Sequence, residues 1–292
     1  MSSLDYLELG GTLFIPASHK HLNAIVNEKK YPKLRSLVID FEDGLEQSAF
    51  TSAMKSLGGV LARRVSQKPY LFLRARDEVH LKELLQLQDI TNITGFVLAK
   101  FSLKNADEYL SLMQKSNSLM MPSIEGEELF NHQKLHRLKE KLLTHKEHIV
   151  LVRFGLEDML RQLTMRRECD ESIFDRSATS AVVGNFIATF KSAGFGVSGG
   201  VYPCFKDAQG FLNDVKRDMR EGLFGKTIIH PNQIEPINEC YRVSKRELEE
   251  AQEISDSQLK LFSLNGKMAE VPTMFSHSRS ILKRAEIYGV SP

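Results

Sequence analysis

Short apolar, β-rich runs recur along the chain at residues 12–15, 36–40, 70–74, 95–98, 118–122, 148–153, 194–197 and 227–229. Their near-continuous apolar character is that of strands buried on both faces, as in a parallel sheet covered by helices. The stretches between them are long enough for crossover helices. The clearest helix spans 207–220: Phe211, Val215 and Met219 recur every four residues, and Asp214, Lys216, Arg217, Asp218 and Arg220 are assigned to solvent. Gly222 and Gly225 then mark the passage into the last strand. Alternating βα units predict an α/β fold, and a set of eight favours closure into a (β/α)8 barrel.

The pattern changes after His230-Pro231. Residues 244–255 read as a charged helix capped by Ser244, 259–264 as a strand, Asn265-Gly266 as a turn and 276–288 as a closing helix. The expected organisation is a barrel domain over 1–235 and a C-terminal helical extension over 236–292, which packs on the barrel or on a neighbouring subunit.

At 292 residues the chain is close to the roughly 250 of such a barrel plus an extension. With 42% hydrophobic and 26% charged residues it has the composition of a soluble protein, and a net charge of +2 gives no reason to invoke nucleic acid or a membrane surface. Cys169, Cys204 and Cys240 are odd in number and widely spaced, which argues against a disulfide framework and for a reducing cytoplasm. The first ten residues lack the basic and apolar regions of a signal peptide. No apolar stretch approaches the roughly 20 residues that span a bilayer.

Candidate chemistry enters through position. Asp40, Glu42 and Asp43 follow the second run, Arg74 and Arg76 the third, Lys100 the fourth, Glu125 the fifth, Glu157 and Asp158 the sixth and His230 the eighth. In a parallel barrel those strand ends share one rim, where active sites are built. Glu125 and Asp158 each follow an apolar run directly, as acids on rigid platforms would, and Mg2+ accepts one or two such carboxylates.

Four segments in chain order resemble a known family: Asp40-Phe-Glu-Asp-Gly44, Phe154-Gly-Leu-Glu-Asp158, Gly225-Lys-Thr-Ile-Ile-His-Pro-Asn-Gln-Ile234 and Gly266-Lys-Met-Ala-Glu-Val-Pro272. They are similar to signatures of the citrate lyase β-subunit-like proteins, relatives of the malyl-CoA and citramalyl-CoA lyases and of the HpcH/HpaI aldolases. The likeness runs from Leu13-Phe-Ile-Pro16 to the tail. It implies a TIM barrel, a Mg2+ cofactor, a homotrimer or hexamer, and cleavage of a carbon–carbon bond in a hydroxy-acyl thioester of the citryl, malyl or citramalyl type. It further implies that Glu125 and Asp158 hold the metal, that Arg74 contacts substrate oxygen, and that Glu42 and Asp43 line the site. Glu270 stands where the family has an aspartate that serves a neighbouring subunit's site.

Departures bear on the substrate. Arg76 replaces the asparagine of the family's Arg-x-Asn, Ala99-Lys100-Phe101-Ser102 lacks the usual glutamate, and Ser198-Gly199 replaces an Ile-Asp pair. Arg76 and Lys100 are accordingly expected to bind substrate. With Arg153 they make the rim more cationic, which leaves open an aldolase acting on a phosphorylated substrate. A non-catalytic binding or assembly subunit is the remaining alternative. His132 and His136, spaced as metal ligands on a helix, are read as a solvated face opposite Leu135, Leu138 and Leu142.

Overall fold

Seven parallel strands form one sheet: β1 (Thr12–Pro16), β2 (Ser36–Asp40), β3 (Tyr70–Ala75), β4 (Gly95–Leu98), β5 (Leu119–Ile124), β6 (Arg153–Phe154) and β7 (Thr227–Ile228). Their order is β6-β5-β4-β3-β2-β1-β7, so β1 to β6 are neighbours in succession and β7 returns to pair with β1. The computed structural model describes residues 4–291. Helices α1 (Leu22–Asn27), α2 (Phe50–Leu61), α3 (Glu78–Leu85), α4 (Ala106–Ser116) and α5 (His132–Leu143) supply the crossovers between the first six strands. After β6 come α6 (Leu156–Gln162) and α7 (Ser177–Lys191), and α8 (Ala208–Arg220) precedes β7.

The strand interiors explain the apolar runs. Leu37, Val38 and Ile39 on β2 and Leu71, Phe72 and Leu73 on β3 are all fully buried, as a sheet covered on both sides requires. Val38, Phe72, Val97 and Met121 join Leu9, Val150 and Leu151 in one core cluster. Register carries this alignment to the strand ends: Pro16 pairs with Asp40, Asp40 with Arg74 and Ser123 with Arg153.

Residues 194–197, expected as a strand, are reduced to isolated contacts. Val197 bridges to Val152, and Ser198 to Phe224, both in parallel sense. The segment is glycine-rich because its neighbours press on it: a side chain at Gly199 would collide with the Asp218 carboxylate. Glycine there permits the approach but weakens regular strand structure.

Helix α8 corrects a second expectation. Asp214 and Asp218 do not face solvent; they are 6% and 4% exposed. Lys226, itself 1% exposed, places Nζ 2.6 Å from Asp214 and 2.7 Å from Asp218, and Arg167 meets Asp214 at 3.1 Å. Burial pushes the Asp218 carboxyl up to about 6, against the pull of Lys226. Buried acids spaced one turn apart are tolerated because cations from two other segments reach them.

The cysteines correct a third. Cys169 and Cys204 form a disulfide, with Cα atoms 5.9 Å apart across a separation of 35 residues, and Cys240 takes no part in it. Spacing gave no hint because the loop beyond α6 and the loop before α8 meet only in the fold. The cysteines therefore do not indicate a reducing compartment. Among the described residues no helix is long and apolar enough to cross a membrane.

Contacts divide the chain into two compact units between Ile234 and Glu235. The second contains α9 (Ile234–Cys240) from Glu235 onward, α10 (Lys245–Asp256), the antiparallel hairpin β8 (Leu261–Leu264) and β9 (Lys267–Glu270), and α11 (Val271–Tyr288). Ser244 and Glu247 form a capping box at the start of α10, and Asn265 and Gly266 take positive φ at the hairpin turn. Val243, Ala251 and Ile281 make one small core and Ile254, Leu264 and Ala269 another.

Candidate active site

The ends of β1 to β7 surround a cavity of about 450 Å³ whose walls include Asp40, Arg74, Glu125, Arg153, Glu157 and Asp158. Its electrostatics are built from the strand ends inward. Arg74 on β3 is held edge-on by Asp40, Nε to Oδ1 at 2.6 Å and Nη2 to Oδ2 at 2.7 Å. Its Nη1 meets Glu42 at 2.8 Å and its Nη2 lies 3.5 Å from Asp43. Burial disfavours the guanidinium charge, but Asp40, Glu42 and Asp43 outweigh it and raise the Arg74 pKa.

Lys100 follows β4 in left-handed backbone, φ 49°. Its ammonium pairs with Glu42 and stands 3.7 Å from Asp43. Glu42, with a side chain 6% exposed, thus lies between two cations, yet burial still pushes its carboxyl upward. The Lys100 backbone N–H donates to Glu125 Oε1 at 2.7 Å, and the Ser123 hydroxyl donates to Oε2 at 3.3 Å. Two of the expected substrate contacts, Arg74 and Lys100, therefore also organise the acids around them.

Glu125 is 6% exposed, and burial first, Glu42 next, push its carboxyl up to about 7. Asp158, in the first turn of α6, raises it further, lines the same cavity and pairs with Arg161. Acids crowded into a desolvated cavity favour a divalent cation, and two carboxylates with room for water and substrate are a donor set that Mg2+ accepts. The pair fits that ion. Among the described residues no group of three or more His, Cys, Asp or Glu side chains is arranged to hold a metal, so His132 and His136, both exposed, form no such site.

Arg76 sits differently from the expectation. Its Nε donates to the Phe41 carbonyl at 2.8 Å and its Nη2 to the Leu45 carbonyl at 3.3 Å, while Nη1 reaches Gln47. The guanidinium lies over the Phe50 ring, 4.5 Å from its centroid. These contacts clamp the loop carrying Glu42 and Asp43. Glu270 belongs to the second unit, where it is exposed at the start of α11 with its backbone carbonyl accepting from the Thr273 hydroxyl at 2.9 Å. His230 caps the turn after β7 and stacks on Phe205 at 4.6 Å.

Two contributors were not read from the sequence. Gly155 leaves space for Glu125, since a methyl there would overlap the Glu125 Cβ and come within 2.5 Å of Oε2. The backbone N–H of Lys100 carries no sequence signal at all. Arg153, which the sequence marks only by its charge, is 3% exposed and lines the cavity.

Known proteins are similar to this chain in sequence and in fold. Over 153 residues the chain is 28% identical to the citrate lyase subunit beta of Escherichia coli (strain K12), a match covering 49% of this chain and 48% of that protein. It is 33% identical over 95 residues to the (3S)-malyl-CoA thioesterase of Cereibacter sphaeroides (strain ATCC 17025), covering 32% of each. The chain thus spans about half the length, or less, of the curated relatives it matches. The crystal structure of protein CitE from Mycobacterium tuberculosis with magnesium, acetoacetate and coenzyme A superposes with a TM-score of 0.72 at 19% identity, covering 96% of this chain and 99% of that one. A citrate lyase from Burkholderia xenovorans LB400 gives 0.76 at 16% identity, covering 97% and 93%. A family model described as the C–C bond lyase of the TIM-barrel fold matches residues 3–290, and the chain belongs to that family.

Proposed function

We propose that the protein is a Mg2+-dependent carbon–carbon lyase that cleaves a hydroxy-acyl thioester, of the citryl-, malyl- or citramalyl-CoA kind, into a keto acid and an acyl-CoA. The observation that carries this reading is the convergence of Glu125 and Asp158 on one cavity beside Arg74. Magnesium and oxaloacetate occupy the citrate lyase β subunit of M. tuberculosis, and magnesium, acetoacetate and coenzyme A its CitE, which supports the same ligand classes here.

A Mg2+ ion held there would supply positive charge to lower the pKa of the substrate hydroxyl. Glu125 and Asp158 would hold it, with Glu125 fixed by the Lys100 N–H and the Ser123 hydroxyl. Arg74, kept charged and oriented by Asp40, stabilises negative charge growing on a substrate oxygen. Glu42 and Asp43 position that arginine and Lys100 around the reacting atoms. Glu270, brought by a neighbouring subunit of a trimer or hexamer, exchanges a proton with the enolate carbon. The eight-stranded closure of the barrel through 197–198 belongs to the same reading, supported by the bridges of Val197 to Val152 and of Ser198 to Phe224. A cytoplasmic setting rests on the family likeness alone.

Release of a keto acid from each of the three CoA thioesters, followed with and without Mg2+, tests the proposal. Chelation by EDTA, Glu125→Gln and Asp158→Asn are each expected to lower turnover by at least about a hundredfold. Turnover indifferent to Mg2+, or no cleavage of any of the three by the pure protein, would reject it.

A further inference from the structure

The loop after β4 is fastened to the end of β5 by its own backbone. The Lys100 N–H donates to Glu125 Oε1 at 2.7 Å, the Phe101 N–H to the Ser123 carbonyl at 2.9 Å and the Leu103 N–H to Glu128 Oε1 at 3.0 Å. The Ser102 N–H turns inward to Asn105 Oδ1 at 2.8 Å, so every donor from 100 to 103 is engaged. Glu128 belongs to the short helical turn Glu127–Phe130 and is 2% exposed. Its Oε2 has no hydrogen-bond partner among the described residues. That oxygen packs beside Gly126, where a methyl group would come within 2.7 Å of it. One N–H is meagre compensation for burying a carboxylate, and an apolar side chain would fill the same space at less cost.

We propose that Glu128 is a positioning residue that holds Glu125 in the geometry that accepts Mg2+. This deepens the lyase reading and rests on its metal site. Lys100 takes left-handed backbone without being glycine, a conformation that persists only where its surroundings hold it. Glu125 holds the turn at its own N–H, and Glu128 holds it three residues further on, at Leu103. With Leu103 released, the turn relaxes and the N–H that fixes Glu125 Oε1 moves with it. The same carboxylate steadies Glu125 from below, because its Oε2 fills the space beside Gly126, the next residue in the chain. Glu128 stands outside the cavity wall that Glu125 and Asp158 line, so it acts through Glu125 and not on the substrate. The left-handed turn at Lys100 is thereby shared between two neighbouring glutamates, one facing the cavity and one buried behind it.

Calorimetric titration of the full chain with Mg2+, paired with urea unfolding and keto-acid release, tests this through three substitutions. Glu128→Gln keeps an acceptor oxygen at the same reach. Glu128→Met removes the acceptor at similar volume, and Glu128→Asp keeps the charge but falls one methylene short. Glu128→Gln is expected to bind Mg2+ within about threefold of the wild type. Glu128→Met and Glu128→Asp should bind it about tenfold more weakly, the change that one lost hydrogen bond produces, and turnover at limiting Mg2+ should fall in step. The urea midpoint of Glu128→Met should hold, because the buried charge removed offsets the N–H left unpaired. A merely structural glutamate gives the converse, a lower midpoint with unaltered Mg2+ affinity, and that result overturns the inference. Affinity that follows charge, kept in Glu128→Asp and lost in Glu128→Gln, overturns it too, and this pair decides the matter even where Glu128→Met does not fold. A wild type that binds no Mg2+ removes this inference and the lyase reading together. The expected series of Mg2+ affinities without cleavage of any of the three thioesters upholds the role of Glu128 and rejects the lyase reading alone.

Discussion

Gly155 and Glu125 occupy touching positions with no atom to spare. The Gly155 N–H donates to the Ile124 carbonyl at 3.1 Å, which draws the start of α6 against the end of β5. A side chain at 155 would run into the Glu125 Cβ and crowd its Oε2. Gly155→Ala is therefore expected to displace the carboxylate by a fraction of an ångström or more. Turnover and Mg2+ affinity should fall by about a hundredfold, since misplacement on that scale disrupts reacting geometry. Stability should fall by only about 1–3 kcal/mol. Mg2+ titration and urea unfolding of the same variant check both halves, and an unaltered Mg2+ affinity would count against this account of the glycine.

The four charges beneath α8 make a different kind of prediction. Lys226→Met keeps the length of the side chain and removes its charge, leaving Asp214 and Asp218 to share the Arg167 guanidinium. Removing one partner of a buried ionic cluster costs about 3–5 kcal/mol. The urea midpoint should fall accordingly. The double change of Asp218→Asn with Lys226→Met should recover part of the loss, because it removes a stranded charge; no recovery would show that the cluster is not one network.

How much of this was legible beforehand depended on whether the signal was local. Strands β1 to β5 are marked by apolar runs that burial on both faces demands, and their ends place Asp40, Arg74 and Glu125. Acids directly after such runs were visible as candidates for the same reason. Helix α8 showed its Phe211 and Val215 stripe, but the inward turn of Asp214 and Asp218 depends on Lys226 and Arg167, which local periodicity cannot weigh. The pairing of Cys169 with Cys204 likewise follows from two loops meeting in space. Arg76 is expected as a substrate contact because it stands where the similar family's Arg-x-Asn motif has its asparagine. Alternation along an extended segment does not reveal that its donors turn to the carbonyls of Phe41 and Leu45.

That disulfide is itself open to measurement. A bridge closing about 35 residues is expected to contribute roughly 3–4 kcal/mol by restricting the unfolded chain. Cys204→Ser should lower the urea midpoint, and dithiothreitol should reproduce the loss in the wild type and add nothing in the variant. Intact-mass measurement after alkylation should find one reactive thiol, Cys240, before reduction and three afterwards. Three at the outset would refute the bridge.

His80 sets the response to acid. The imidazole is 4% exposed, between the rings of Phe41 at 5.1 Å and Phe50 at 4.8 Å, and its Nδ1 accepts from the Arg76 N–H at 3.3 Å. Burial first, and the Arg76 charge second, lower its pKa from 6.5 to about 4. In the unfolded chain it protonates near 6.5, so between that pH and about 4 the unfolded state binds more protons than the folded one. Its contribution to stability is complete above pH 6.5 and is lost as the pH falls through about 4. The loss should be on the order of 3 kcal/mol. Because the same imidazole packs under the loop that Arg76 clamps, the acid form should also loosen Glu42 and Asp43. His80→Leu, which cannot protonate, is expected to flatten the urea midpoint between pH 6.5 and 4 relative to the wild type. Parallel curves for the two proteins would mean that the imidazole is not the group that titrates.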